Sequence, residues 1–201
     1  MPEPPEGEAD LRTLARRYEV AERGIRDLLA RAPSAADRGS LLKAALLLIV
    51  ALRKLDARTP IRTAYLHEHR FGDPEAVADL AGVLHQKLDD GAQRASVGAR
   101  RAFRMATEDN LEELELEAVT AHEQPDGRRW SLGHWAGMQI ATSGRQSTSR
   151  GFADNVGEGG GFVVQGTKCV LCRTLFDGVK VVGRDRLPPG HPGCDCLAVR
   201  V

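Results

Sequence analysis

The sequence predicts an α+β fold, in which a mainly α-helical amino-terminal region with long helices precedes a small β-hairpin module. Three observations support this prediction. Aromatic residues make up only 4% of the 201 residues, whereas Leu and Ala are abundant. Apolar residues recur at helical spacing through the first hundred residues. All four cysteines, in contrast, fall in the last 33 residues, where short apolar runs and turn residues replace the helical pattern.

Residues 1–8 are rich in Pro and Glu and predict a disordered tail, and residues 9–124 predict the helical region. The first helix should run from about residue 9 to 32, because its apolar residues alternate three and four positions apart and Pro33 follows. These apolar residues are Leu11, Leu14, Tyr18, Ala21, Ile25 and Leu28. A second helix, from about residue 36 to 58, is apolar nearly all round, which predicts burial between neighbouring helices or against another subunit.

A third helical segment opens at Thr59-Pro60, and a longer helix of some thirty residues should begin at Asp73-Pro74, where Asp caps and Pro suits the first helical position. Its apolar residues keep a helical period and form one stripe, namely Val77, Leu80, Leu84, Leu88, Ala92, Ala95, Ala99, Ala102 and Phe103. Gly91 and Gly98 in the long helix permit close approach of another backbone. Its end is basic, and residues 108–117 that follow are acidic. We interpret these as two solvated helix faces of opposite sign; the alternative is recognition of complementary surfaces on an oligomeric partner.

Residues 122–127 contain Pro and Asp-Gly, which predict a linker and place a domain boundary before residues 128–201. Ser131 should cap a helix that runs through Ile140. Residues 142–150 are small and polar and have poor helix propensity, so the helix should continue through them only if it packs against something. Four glycines within residues 157–161 predict a hinge.

Residues 162–201 predict a β-hairpin module. Phe162–Gln165 should form a strand, the Asp177-Gly178 pair should form the turn of a hairpin, and a last strand should start at Leu197. Three short strands in about forty residues bury too little apolar surface to fold alone. The module therefore needs a further source of stability.

We expect the cysteines and one histidine to provide this stability by binding a metal ion. Cys169 and Cys172 form a C-x2-C pair, and after eighteen residues His191, Cys194 and Cys196 form H-x2-C-x-C. Thiolate and imidazole are preferred ligands of Zn²⁺, so the spacing predicts two knuckles around one ion. The alternatives are a pair of disulfides or clustered free thiols. The amino terminus shows no secretory signal, so we expect a reducing compartment and favour zinc.

Five candidate ligands compete for four positions. We favour the four cysteines with His191 nearby; the alternative is Cys169, Cys172, His191 and Cys194 with Cys196 as a bystander. A filled shell predicts structural zinc rather than a catalytic ion, and the chain shows none of the common zinc-hydrolase or nucleotide-loop motifs. We therefore predict a non-enzymatic protein. His67 and His69 lie two positions apart and would face different directions on a helix, so no metal site is predicted there.

Residues 128–201 resemble the carboxyl-terminal domain of Mu F-like phage head morphogenesis proteins, which are minor capsid proteins of tailed phages. The resemblance rests on Arg129-Trp130-Ser131-Leu132, a helix with Trp135 and Met138, a glycine-flanked strand, Cys169-x-x-Cys172, Leu175-Phe176-Asp177-Gly178-Val179 and His191-Pro192-Gly193-Cys194-Asp195-Cys196. The chain departs from the family at Ala141-Thr142-Ser143, where an Arg-Thr-Glu-like step is usual, and at Gly193 and Asp195, where Asn and Arg are common.

The resemblance implies a virion protein that is assembled in the host cytoplasm and lies in the phage head interior. It implies multiple copies around the portal, with the portal protein and the major capsid or scaffold proteins as partners and packaged DNA as a further one. The longest apolar run, Ala44–Leu52, is too short to span a bilayer, so no membrane partner is predicted.

Two other functions stay open. The carboxyl-terminal region would be a nucleic-acid-binding zinc module if its basic residues contact phosphates. These residues are Arg145, Arg150, Lys168, Arg173, Lys180, Arg184 and Arg186. The sequence from Gly151 onward, however, contains six basic and five acidic residues. Its net positive charge is small for a DNA-binding domain. A zinc-dependent hydrolase is the third alternative, and it would need an open metal position.

Overall fold

The computed structural model describes residues 6–66, 73–156, 162–165 and 197–200 of the chain. This part is mainly helical, as predicted. The helices are α1 (Glu6–Ala30), α2 (Arg38–Arg53), α3 (Arg58–Leu66), α4 (Pro74–Met105), α5 (Leu111–Val119) and α6 (Leu132–Val156). The strands are β1 (Thr120–Glu123), β2 (Arg129–Ser131), β3 (Phe162–Gln165) and β4 (Leu197–Arg200), paired antiparallel as β1–β2 and β3–β4.

The chain divides into two compact units, each built from separate stretches of sequence. The first unit takes in the residues up to Arg12, then Ala57–Leu84, then the chain from Met138 onward. The second unit consists of Thr13–Asp56 and His85–Gly137. The predicted boundary between residues 124 and 128 falls inside the second unit, and the separate domain of residues 128–201 stays a prediction.

Helix α1 begins earlier than the predicted tail allows. It starts at Glu6, so the expectation of a disordered tail is wrong for residues 6–8, and residues 1–5 lie outside the described part. The predicted apolar seam is confirmed, because Leu14, Tyr18, Ala21 and Ile25 are buried. At the end of the helix Leu29, rather than Leu28, occupies the buried position.

Helix α2 is shorter and less buried than its sequence suggested. Asp37 caps it by accepting a hydrogen bond from the Ser40 backbone N–H at 3.1 Å, and the helix ends at Arg53 instead of near residue 58. Leu47 and Val50 are 59% and 42% exposed. Burial between neighbouring helices is therefore wrong for this face, and burial against another subunit stays a prediction.

Helix α4 follows the predicted pattern closely. Asp73 caps it through a 2.9 Å hydrogen bond from the Glu75 backbone N–H to its carboxylate. Its 32 residues correspond to about 48 Å of helix. All positions of the predicted stripe except Leu80 are buried. The buried positions are Val77, Leu84, Leu88, Ala92, Ala95, Ala99, Ala102 and Phe103. Leu80 is half-buried.

The predicted linker at residues 122–127 is the turn of a hairpin. Strands β1 and β2 pair in the register Glu123–Arg129 and His122–Trp130, and the Gln124 N–H donates to the Arg128 carbonyl at 2.8 Å. Gly127 has φ of +82°, a left-handed conformation that side-chain-bearing residues rarely adopt. The turn residues were identified correctly, whereas the two flanking strands were not predicted.

Helix α6 continues through the polar stretch that was expected to be helical only if packed. It extends to Val156, and the polar side chains of its middle are almost completely inaccessible to solvent. The buried polar residues are Gln139, Thr142, Ser143, Ser147 and Ser149. Packing therefore overrides the poor helix propensity of this stretch.

Candidate functional site

Strands β3 and β4 confirm the predicted first and last strands of the carboxyl-terminal module. They pair antiparallel over four residues, with Phe162 opposite Arg200 and Gln165 opposite Leu197. The chain therefore leaves β3 and returns to β4 at the same end of the pair. The thirty-one residues between Gln165 and Leu197 contain every candidate zinc ligand, and β4 starts directly after Cys196.

The predicted zinc ligands lie outside the described residues. This holds for Cys169, Cys172, His191, Cys194 and Cys196, for the turn residues Asp177-Gly178, and for the histidines at positions 67 and 69. Within the described ranges, no group of three or more His, Cys, Asp or Glu side chains could hold a metal ion. The zinc site therefore stays a prediction, and its support is the chemistry of the donors: four thiols and one imidazole suit Zn²⁺.

An aromatic cluster in the second unit was not predicted from the sequence. The His122 ring of β1 stacks on Trp135 of α6, with the ring centroids 4.4 Å apart and the planes at 12°. Trp130 of β2 lies 5.4 Å from His122 and 5.8 Å from Trp135. His134 meets Trp130 edge-on at 5.7 Å. The cluster thus joins the hairpin to the first turn of α6.

The cluster favours a neutral His122. Burial lowers the pKa of His122 below its ordinary value of 6.5, and the nearby Arg94 guanidinium lowers it further. The Nη1 of Arg94 lies 3.2 Å from His122 Nδ1. Because a guanidinium only donates, Nδ1 must accept, which assigns the ring proton to Nε2. A neutral ring flat against an indole packs well and keeps the Arg94 contact.

The same cluster depends on a glycine in α4. A Cβ on Gly91 would lie 2.8 Å from Trp135 Cδ1 and 3.3 Å from Ala121 Cβ, so the indole occupies the space of a missing side chain. The sequence predicted that another backbone would approach Gly91 closely, whereas the atoms nearest to it belong to side chains. On the opposite side of the α6 start, the Gly133 N–H donates to the Glu22 carboxylate at 2.7 Å. These contacts support a packing role for the cluster.

A second polar group lies in the first unit. The hydroxyl of Tyr65, on α3, donates to Asp154 Oδ2 of α6 at 2.6 Å, and Arg150 Nε donates to the same oxygen at 3.2 Å. Burial raises the pKa of Tyr65 to about 12, and the Asp154 carboxylate adds to the shift by hydrogen bonding and by its charge. The tyrosine stays protonated at neutral pH and connects the two helices.

The oppositely charged stretches contact each other within the second unit. Arg101 of α4 pairs with Glu117 of α5 at 3.2 Å, and Arg26 pairs with Glu115 at 3.5 Å. The stretches were interpreted as solvated faces, and exposed pairs of this kind each contribute little stability. The arginine–glutamate contacts show that part of the acidic charge is balanced by the same chain.

The residues of the nucleic-acid alternative are only partly described. The Arg150 guanidinium contacts the Asp154 carboxylate, so its charge is already partnered within the first unit. Lys168, Arg173 and Lys180 lie outside the described residues, as do Arg184 and Arg186. Arg145 lies on α6 and is half-buried. The nucleic-acid alternative therefore stays a prediction.

Comparison with known proteins gives no relative for this chain. No family model matches it. No curated protein sequence and no solved structure match it either. Among the described residues, no helix is both long enough and apolar enough to cross a membrane.

Proposed function

We propose that this chain is a Mu F-like minor capsid protein of a tailed phage or phage-like particle. In this proposal it acts in head assembly at the portal and the inner face of the head, without catalysis. Its partners are the portal protein and the major capsid or scaffold proteins. Multiple copies surround the portal.

One observation carries the proposal, namely the order of the carboxyl-terminal motifs. Arg129-Trp130-Ser131-Leu132 precedes a helix with Trp135, a glycine-rich stretch and a strand; C-x2-C, an Asp-Gly turn pair and H-P-x-C-x-C follow. The described elements are compatible with this order, because α6 starts at Leu132, β3 follows the glycines and β4 follows the last cysteine.

The pairing of β3 with β4 supports a metal-stapled module. It holds together the two ends of the segment that contains both knuckles. A four-residue strand pair is marginal by itself in water. Cys169, Cys172, Cys194 and Cys196, with His191 as the competing fifth ligand, would hold one Zn²⁺, which when bound supplies folding energy of about 10–16 kcal/mol in small domains.

Association with the portal tests the proposed function. The full-length chain, produced together with the portal protein of the same phage or prophage, should co-purify with portal rings and should be found in purified particles. A particle preparation that contains the portal but lacks this chain would contradict the proposal. The major tail protein, which should not capture the chain, serves as the negative control.

Packaged DNA stays a further partner of this proposal. The net charge of the whole chain does not favour DNA binding, because 28 basic residues balance 28 acidic ones. Contact with DNA would therefore need a local site.

A further inference from the structure

A cavity of about 320 Å³ in the second unit combines a cationic rim with an apolar floor. It is formed by the first turn of α2 and the last two turns of α4. Its described lining residues are Arg38, Gly39, Leu42, Arg100, Phe103 and Arg104. Phe103 is almost fully buried and provides the floor, whereas Arg100 and Arg104 are exposed on the rim.

Three arginines line this cavity, and no carboxylate is among its described lining residues. Arg100 and Arg104 are four residues apart on α4, a spacing at which like charges repel each other. Arg38 adds a third positive charge from α2. The Asp37 carboxylate already caps the positive end of the α2 helix dipole, so the charge surplus comes from the arginines. A bound anion would relieve the repulsion between these three charges.

Several other arginines of the second unit pair with carboxylates of the same chain. Arg101, next to Arg100 in sequence, pairs with Glu117, and Arg53 pairs with Asp89. The acid nearest to the cavity in sequence, Asp37, caps α2 by accepting hydrogen bonds from the backbone and hydroxyl of Ser40. The residues that line the cavity thus carry a local surplus of positive charge in a chain whose net charge is zero.

Arg38 is also held in place. Its Nη2 donates to the Pro33 carbonyl at 3.2 Å, and the side chain is half-buried. An arginine whose position is fixed before binding loses less side-chain freedom when a ligand arrives. The planar guanidinium group presents paired N–H donors that match the oxygens of a phosphate.

We propose that this cavity binds a phosphate group. The three arginines contact its oxygens, and Leu42 with Phe103 accommodates the apolar edge of the attached molecule. The phosphate belongs either to the backbone of a nucleic acid or to a small phosphorylated molecule. The inference rests on the cavity alone and does not depend on the proposed role at the portal.

Binding to a fluorescent DNA duplex at several salt concentrations tests the nucleic-acid source. For the full-length chain, the logarithm of affinity should fall linearly with the logarithm of salt concentration. Arg100→Gln and Arg104→Gln should each reduce the magnitude of that slope by about 0.9 and weaken binding by about fivefold to tenfold at low salt. Arg101→Gln, the matched control, removes the same charge from the same helix turn and should keep most of the affinity. Circular dichroism checks that each variant is folded.

Thermal unfolding with inorganic pyrophosphate tests the small-molecule source. Pyrophosphate should raise the midpoint of the parent and of Arg101→Gln, and the rise should be absent from the Arg100→Gln, Arg104→Gln double variant. A response to DNA alone assigns the site to a polynucleotide, and a response to pyrophosphate alone assigns it to a small phosphorylated ligand. The inference is overturned if neither probe distinguishes the two cavity variants from Arg101→Gln.

Discussion

At the scale of single residues, Gly98 permits the contact between α4 and α5. A Cβ at this position would overlap the carbonyl oxygen of Glu117, which is backbone and cannot rotate away. The sequence suggested close approach at Gly98 from the absence of a side chain alone. The structure identifies the neighbour as the last turns of the acidic helix, next to the Arg101–Glu117 pair.

Substitution of Gly98 by Ala should therefore destabilise the protein. The added methyl forces the two helices apart, at a cost of about 1–3 kcal/mol. Gly82→Ala is the matched control on the same helix, because a Cβ there would meet nothing within 4 Å. The control should be neutral or stabilising by up to about 1 kcal/mol, since Ala favours helix. Chemical unfolding of both variants measures the difference; equal stability would show that the helices do not approach as closely as described.

The ionisation of Tyr65 should make the stability of the fold depend on pH. Its folded pKa of about 12 lies above the ordinary value of 10.0, so the folded state holds the proton more tightly than the unfolded state. The stability from this group is present below about pH 10 and is lost as the pH rises through about 12. Tyr65→Phe should cost about 1.5 kcal/mol at neutral pH, because the hydrogen bond to Asp154 is lost.

The chain contains only two tyrosines, which makes this prediction easy to measure. In Tyr18→Phe, Tyr65 is the only tyrosine, and its ultraviolet absorbance during alkaline titration reports its ionisation. The absorbance should change near pH 12 in the folded protein. A change near pH 10 with the helices still intact would contradict the Tyr65–Asp154 contact.

At the scale of secondary-structure elements, α6 buries polar atoms that have no hydrogen-bond partner among the described residues. Gln139 is 1% exposed, and both polar atoms of its amide lack a hydrogen-bond partner among the described residues. An unsatisfied buried amide costs about 1–3 kcal/mol. Such a cost is unusual for a helix that gains its stability from packing.

Replacement of Gln139 by Met should raise the free energy of unfolding by about 1 kcal/mol, because it removes the unsatisfied amide and keeps a similar volume. Gln146→Met, at a half-buried position on the same helix, should change it by less than about half of that amount. Thermal unfolding of the two variants compares them directly. A destabilised Gln139→Met would show that the amide has a partner in solution.

The elements differ in how far the sequence could predict them. The buried stripe of α4 was predicted almost residue by residue, because a helix of 32 residues repeats its signal many times. The β1–β2 hairpin was missed because its strands are short, and the contact between Gly91 and Trp135 joins residues far apart in sequence. One signal was available: both tryptophans and two of the six histidines fall within residues 122–135.

The exposed face of α2 and the arginine-lined cavity show a second limit of prediction. Hydrophobic periodicity identifies which residues can be buried, and it does not tell which helix will cover them. Leu47 belongs to the apolar set that predicted burial of this helix, and it is exposed. Arg38 and Arg100 are separated by more than sixty residues, so only the tertiary structure brings them to one cavity.

At the scale of the whole molecule, a helical body accompanies a short strand pair whose intervening segment contains all four cysteines. The helical body is stabilised by apolar burial along α1 and α4. The β3–β4 pair has only four residues in each strand. This contrast leads to the central claim that zinc stabilises the carboxyl-terminal module and leaves the helices to fold independently of the metal.

Cysteine substitutions should separate the two parts of the molecule. Cys169→Ser and Cys194→Ser should unfold the carboxyl-terminal module, with most of the far-ultraviolet helical signal retained. Limited proteolysis should then cut after α6. Zinc affinity should be compared between Cys196→Ser and His191→Asn. The variant that keeps full zinc affinity identifies the residue that is not a zinc ligand.

The zinc content of the purified full-length protein tests the central claim most directly. Elemental analysis of protein prepared without added metal should find one zinc ion per chain, and Cys169→Ser should lose it. Absence of metal from the parent, together with identical thermal unfolding of parent and Cys169→Ser, would contradict the claim.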